Sequence, residues 1–417
     1  MTSTTRRIGL SLGADLCWPV YYEDIVAALD PIIDLGGERI RFEVERVTIE
    51  PFDLIQPVRY DVVLDRLTPW YPTSREWIKK AVVMNGLYVL NNPFTLQAMQ
   101  KHTSYVAMMR LGLPVPKTWM LPPKAYEDVP DLQITLESYA RMFDLRDVGE
   151  QVGYPAFLKP YDGGAWVGVS RVESFEELQA AYDASGTRIM HLQEAIEPFD
   201  LFVRALGVGP QVNIMRYDPA VPLHDRYKVD FHFLDAAEWH QMEDVALIIN
   251  SFFGWDFNSV EALRRHGVFH PIDFANANPD SQVTSLHYHI PWLVKALIRW
   301  SLFCAATRRP MRIGVDWQPY FDIADGGGSA DEKLATMAAL ARSRFDAAEF
   351  ASFCDTYLGD LDEVALGYFG EARARVAVQR KVAALFPAAE VTRFTDHFWG
   401  LLQFWRRTDR DRLDAET

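Results

Sequence analysis

Over its first hundred residues the chain alternates strand signals with helix signals, and this alternation limits the fold more than any other feature. Residues 7–12 read as a strand, and 22–35 as an amphipathic helix closed by Gly36 and Gly37. Residues 39–49 are rich in β-branched side chains, and 60–65 (YDVVLD) form a short apolar run, both strand signals. A helix over 74–84 leads through Gly86 into a strand over 87–90. Parallel neighbours need a crossover connection, usually a helix, so the pattern predicts an α/β layer with a mostly parallel sheet.

Further along the texture changes. A helix over 103–111 ends at Gly112, and a strand over 117–121 follows Pro114 and Pro116. Residues 122–134 read as a loop, 136–152 as a helix ending at Gly153, and 156–159 and 167–172 as strands around a glycine-bearing loop. A helix over 175–184 and a strand over 190–195 come next. Strands are expected over 202–207, 212–217 and 226–233, a helix over 236–252, a strand pair over 257–263 and 268–274, and a long helix from 290. Gly326 to Ser329 (GGGS) reads as a flexible break, and the rest as a helical tail with a charged exterior.

Charge and cysteine usage exclude several classes. The 417 residues carry 42 Lys+Arg against 57 Asp+Glu, a net charge of −15. A field of that sign disfavours nucleic acid and anionic membrane as partners, while leaving room for a local basic pocket. Cys17, Cys304 and Cys354 lie far apart and form neither a disulfide framework nor a metal spacing, which suits a reducing compartment. Asp15 interrupts the apolar stretch after Arg6 and Arg7, so no export signal is expected. The most apolar helix, 290–306, carries Lys295 and Arg299 and reads as too short and too charged to span a bilayer. The expectation is a soluble cytoplasmic protein, with a homodimer as the default assembly.

The chemistry concentrates in Tyr154 to Val169 (YPAFLKPYDGGAWVGV). Lys159 ends an apolar strand, and Gly163 and Gly164 follow in a loop. A lysine at a strand end is a fixed cation for a phosphate, and glycines let backbone N–H groups approach phosphate oxygens closely. The bland alternative is a hairpin with an exposed lysine. Upstream, Lys117 opens another strand. Downstream, Met190 to Glu197 (MHLQEAIE) sets Gln193 and Glu194 among apolar residues, a composition suited to an adenine edge and ribose hydroxyls. No Walker-type loop, zinc pair or serine-nucleophile motif occurs. His287 and His289 are spaced for a metal, but packing near a helix start explains them as well.

This combination resembles the ATP-grasp superfamily, as in D-alanine–D-alanine ligase, glutathione synthetase and ribosomal-protein glutamate ligases. The resemblance runs from about residue 91 to 309, with Asn92 and Pro93 similar to the family's lead-in. It implies an α/β lead-in domain over 1–105, a small lobe over 106–196 and a large lobe over 197–309. These leave a mainly helical extension over 310–417. It implies ATP and Mg²⁺ as cofactors. Lys117, Lys159, Gly163, Gly164, Gln193, Glu194, Ile196 and Glu197 would hold the nucleotide. Glu261 and Asp273, twelve positions apart, with Asn276, would hold the metal. Two departures matter: the second carboxylate is Asp, and Asn276 stands one residue further on than the pattern has it. Asn278 in place of Asn276, and Asp256 in place of Glu261, therefore stay open. Trp166 in the glycine loop is a third departure.

By the same resemblance, Arg216, Arg226 and Lys228 would meet the γ-phosphate or an acyl-phosphate, whereas Arg204 is expected to pair with Asp200. The implied activity is an ATP-dependent carboxylate–amine ligase working through an acyl-phosphate and releasing ADP and phosphate. Its substrates would be a small carboxylate and a small amine. One alternative is modification of a peptide or protein side chain, the helical extension holding the partner segment. Another is a nucleotide-binding regulatory protein that has lost catalysis. The aromatic run 394–405 reads as a core or partner-facing helix.

Overall fold

The structure, a computed structural model, describes residues 2–49, 51–95, 101–140, 142–162 and 167–416. Its strands in chain order are β1 (Thr2–Ser11), β2 (Ile33–Leu35), β3 (Glu38–Arg46), β4 (Val62–Asp65), β5 (Tyr88–Leu90), β6 (Thr118–Leu121) and β7 (Ala156–Pro160). They continue with β8 (Ser170–Val172), β9 (Met190–Glu194), β10 (Leu201–Val208), β11 (Gln211–Arg216), β12 (Phe257–Arg265) and β13 (Val268–Asn276). The chain divides into two compact units. One holds Met1–Leu96, Arg204–Ser259 and Asn276–Thr417; the other holds Gln97–Val203 and Val260–Ala275. The four sequential blocks expected from the sequence follow texture and resemblance, whereas these units follow packing, and each is discontinuous in sequence.

In the first unit, β1 pairs in parallel with β3 and β4, and β4 with β5, giving the order β2-β3-β1-β4-β5. The helix Trp18–Leu29 supplies the crossover from β1, and Pro19 in its first turn presets the helical φ. The helix stops earlier than periodicity suggests. Residues 33–35 leave it to pair antiparallel with β3, Leu35 opposite Glu38. Gly36 (φ +58°) and Gly37 (φ +82°) are therefore the two-residue turn of a hairpin and not a helix cap. Trp77, Ile78, Ala81 and Val82 of the helix Pro72–Asn85 pack on Val63 and Val89 of the sheet.

In the second unit, the sheet order is β6-β9-β7-β8, antiparallel throughout. Alternation gives it two faces. Ala156, Leu158, Met190, Leu192 and Leu121 join the core with Leu145, Val148 and Val152 of one helix and Leu178 and Tyr182 of another. Asp144 and Ser174 cap those helices, Leu145–Val152 and Phe175–Asp183. The single helix expected over 136–152 is two, Leu132–Tyr139 and Leu145–Val152, because Asp144 starts a new one.

A third sheet has the order β11-β10-β12-β13. The strand expected over 226–233 is irregular chain: one bridge, Tyr217 with Tyr227, is all the pairing there among the described residues. The helical run Val283–Thr307 is longer than the sequence reading allowed. Its 25 residues, and a mean hydropathy of 1.2 over the most apolar 18-residue stretch, suffice to cross a membrane by length and composition, but 83% of that stretch is buried in the protein, as in a core helix. Ser329 ends the glycine break by capping the helix Ala330–Arg344 reciprocally with Glu332. The tail is helical to residue 416, and Phe398, Leu402 and Trp405 of its last helix, Val391–Glu416, are buried. The protein is thus a mixed α/β structure of several sheets with a helical C-terminal region.

Candidate functional site

The face of the second sheet turned away from the aliphatic core is polar. Because Met190 and Leu192 point into that core, alternation sends His191 and Gln193 to the other side. Register places Gln193 opposite Thr118 of β6, and His191 opposite Lys159 of β7. Lys159 is 7% exposed. Its Nζ donates to Gln193 Oε1 at 2.6 Å and to the carbonyl of Ile272 in β13 at 3.2 Å. Gln193 Nε2 donates in turn to Thr118 Oγ1 at 2.8 Å. The ammonium also lies 5.0 Å from the centre of the Tyr105 ring, and Tyr105 Oη donates to the same Ile272 carbonyl at 2.8 Å.

Electrostatics make this lysine unusual. Burial, then the nearby Lys101 cation, push its pKa down to about 7, against a partial upward pull from Asp273 and Glu261. Lys101 itself forms an ion pair with Asp273 at 2.9 Å. Tyr105 is raised well above its ordinary value by burial and then by Asp273, with Glu261 contributing. Two lysines and two carboxylates thus surround one buried phenol. Such an arrangement can take an anion on its cations and a hard cation on its carboxylate oxygens.

The other expected nucleotide residues occupy the same unit. Lys117 donates to the carbonyl of Gln151. Glu194 accepts from Arg265 at 3.3 Å, Ile196 is buried, and Glu197 holds Arg171 through two bonds at 3.1 and 2.7 Å. Gly163, Gly164 and Trp166 lie outside the described residues. Of the metal set, Glu261 and Asp273 gather near Lys159, whereas Asn276 belongs to the first unit and donates to Ser259 Oγ at 2.8 Å. Asn278 donates to the Arg66 carbonyl at 3.0 Å. Asp256 is raised by burial, with Tyr88 and Arg309 beside it pulling the other way. Among the described residues no three His, Cys, Asp or Glu side chains form a metal cluster.

Arg216, Arg226 and Lys228 lie in the first unit. Arg216 pairs with Asp230 at 2.8 Å, Arg226 donates to the Val221 carbonyl at 3.0 Å, and Lys228 stands 3.7 Å from Asp218. Asp200 pairs with Arg264 at 3.1 Å, and Arg204 donates to Tyr227 Oη at 2.5 Å. His287 and His289 are packed residues whose pKa values burial pushes down to about 3 and about 4. Sequence reasoning missed Lys101 and His191. Nothing local marks Lys101, because its partner Asp273 comes from a strand distant in sequence. The alternation in MHLQE puts His191 on the face of Gln193.

Residues 111–239 match the family described as D-ala D-ala ligase C-terminus. No curated relative matches the chain. Among solved structures, the chain is similar to a RimK domain ATP-grasp protein from Sphaerobacter thermophilus. Identity is 15%, coverage 71% of this chain and 99% of that one, and TM-score 0.47. A D-alanine–D-alanine ligase from Bacillus anthracis complexed with ATP is 16% identical, with coverage of 73% and 99% and a TM-score of 0.47. The VanG D-Ala:D-Ser ligase from Enterococcus faecalis is 14% identical, with coverage of 80% and 100% and a TM-score of 0.45. The matched segment contains Lys117, Lys159 and the run from Gln193 to Glu197.

Proposed function

We propose that the protein is an ATP-dependent carboxylate–amine ligase acting on small molecules in the cytoplasm. The observation that carries this reading is Lys159 of the matched segment, a buried cation tied to neutral oxygens and set beside Asp273 and Glu261 from outside that segment. In the proposed reaction a substrate carboxylate oxygen attacks the γ-phosphorus of ATP, and the bond to the β-phosphate oxygen breaks to release ADP. An amine then attacks the acyl carbon of the resulting acyl-phosphate. The C–N bond forms, phosphate leaves, and the nitrogen loses a proton. No side-chain nucleophile is needed, so positioning and charge neutralisation do the catalysis.

Lys159 and Lys101 would bind the phosphates, and Gln193 would orient Lys159 and the base. Asp273 and Glu261 fit Mg²⁺, since both are hard oxygen donors and Asp273 already meets a cation. When bound, the metal would neutralise phosphate charge. The test is calorimetric titration with Mg²⁺-ATP, followed by an ADP-release screen over carboxylates and amines. Wild type binds, and Lys159→Met weakens binding about ten- to a hundredfold, as loss of a charged hydrogen bond requires. Asp273→Asn abolishes ADP release. A wild-type protein that neither binds Mg²⁺-ATP nor releases ADP overturns the proposal.

A further inference from the structure

The polar face of β9 carries one more group, His191, which the proposed reaction leaves unused. It sits directly opposite Lys159 and two residues from Gln193. It is 1% exposed, its ring stacked on His102 at 5.7 Å between centroids and tilted against Tyr105 at 5.6 Å. Among the described residues neither Nδ1 nor Nε2 has a hydrogen-bond partner. The groups facing it are Lys159 across the strand pair and Lys101, His102 and Tyr105 on the helix Lys101–Arg110. Burial first, then Lys159, His102 and Lys101, hold its pKa at about 3, so the ring is neutral at physiological pH. A neutral imidazole has one N–H donor and one acceptor nitrogen, and burying both unpaired is costly to folding. An aliphatic side chain would fill the same place without that cost. The imbalance points to a ligand that completes the set.

We infer that His191 is a nucleotide-binding residue that donates a ring N–H to a phosphate oxygen beside Lys159. The inference rests on the nucleotide reading above. Phosphate is favoured over base because the groups around the ring are Lys159, Lys101 and His102, which draw an anion to that spot. An imidazole left without a partner among the described residues is a place where stability is traded for binding.

The test uses full-length wild type, His191→Leu, His191→Gln and Lys159→Met, titrated calorimetrically with Mg²⁺-ADP and with adenosine, and melted without ligand. His191→Leu is expected to raise the melting temperature of the free protein. It should weaken Mg²⁺-ADP binding about ten- to a hundredfold and leave adenosine binding unchanged. His191→Gln, which keeps an N–H donor, should recover part of the ADP affinity. Unchanged ADP affinity in His191→Leu, with the loss intact in Lys159→Met, sinks the His191 assignment and leaves the nucleotide reading standing. A lower melting temperature with equal losses for ADP and adenosine marks a packing role and also overturns it. Failure of wild type to bind Mg²⁺-ADP removes both.

Discussion

Two buried lysines, one in each unit, meet opposite surroundings. In the first unit, Lys295 Nζ donates to Asp362 at 2.6 Å and Asp409 at 3.1 Å, with the Trp405 ring centre 5.2 Å away. Arg299 shares Asp362 at 2.9 Å. Burial would raise the Asp362 carboxyl, but Lys295 and Arg299 outweigh it and hold it below its ordinary value. In the second unit, the hydrogen bonds of Lys159 go to an amide oxygen and a backbone carbonyl, and its pKa falls to about 7. A cation matched by carboxylates is framework, fastening the core helix Ile290–Thr307 to the helices Leu361–Tyr368 and Val391–Glu416. A cation matched by neutral oxygens keeps most of its charge uncompensated, which is what the proposed phosphate site requires.

The largest effect expected from this contrast is on stability. Lys295→Met strands buried carboxylate charge and should cost about 3–5 kcal/mol in urea unfolding. Lys159→Met should stabilise the free protein at neutral pH. Equal destabilisation by the two would erase the distinction.

A smaller effect is carried by pH. The folded pKa of Lys159 lies below its unfolded value of about 10.4. The unfolded chain therefore binds more protons between about 7 and that value. The cost of burying the charge is full below about pH 7 and is relieved as pH rises through that window. Unfolding free energies of wild type and Lys159→Met, measured across it, should converge as pH rises. A difference independent of pH would show that the lysine is not the group titrating.

The smallest effects belong to the helix caps. Ser174→Ala in the second unit and Asp235→Ala in the first each remove a side-chain cap, worth about 1 kcal/mol. Differential hydrogen exchange would show whether each loss loosens its own unit alone. Protection lost equally in both units would mean that they open together.

The elements that sequence reasoning placed best were those with strong periodicity and capped ends. The helix Ala236–Phe253 begins at a reciprocal Asp235–Glu238 cap and ends at Gly254, both visible in sequence. It failed where tertiary pairing overrode local pattern. Residues 33–35 continue an amphipathic stretch, yet β3 captures them as a strand. Residues 226–233 carry strand composition, yet after the Tyr217–Tyr227 bridge they take the irregular path of 228–233. In the site, Lys159 and Gln193 stood out because a charge or amide inside an apolar run asks for a purpose. Lys101 and His191 did not, because each looks ordinary until its neighbours are known.

By itself, then, the sequence determined which residues could do phosphate chemistry and the order in which they occur, since residue type and strand alternation are local properties. The tertiary structure decided that Lys101, Tyr105, Lys159, His191, Gln193, Glu261 and Asp273 share one environment, drawn from segments more than 160 residues apart in the chain. It also decided that Lys159 loses water and donates to an amide and a carbonyl oxygen, where Lys295 donates to carboxylates. Burial and pairing belong to the packed chain, and they set the balance of charge that distinguishes Lys159 from Lys295.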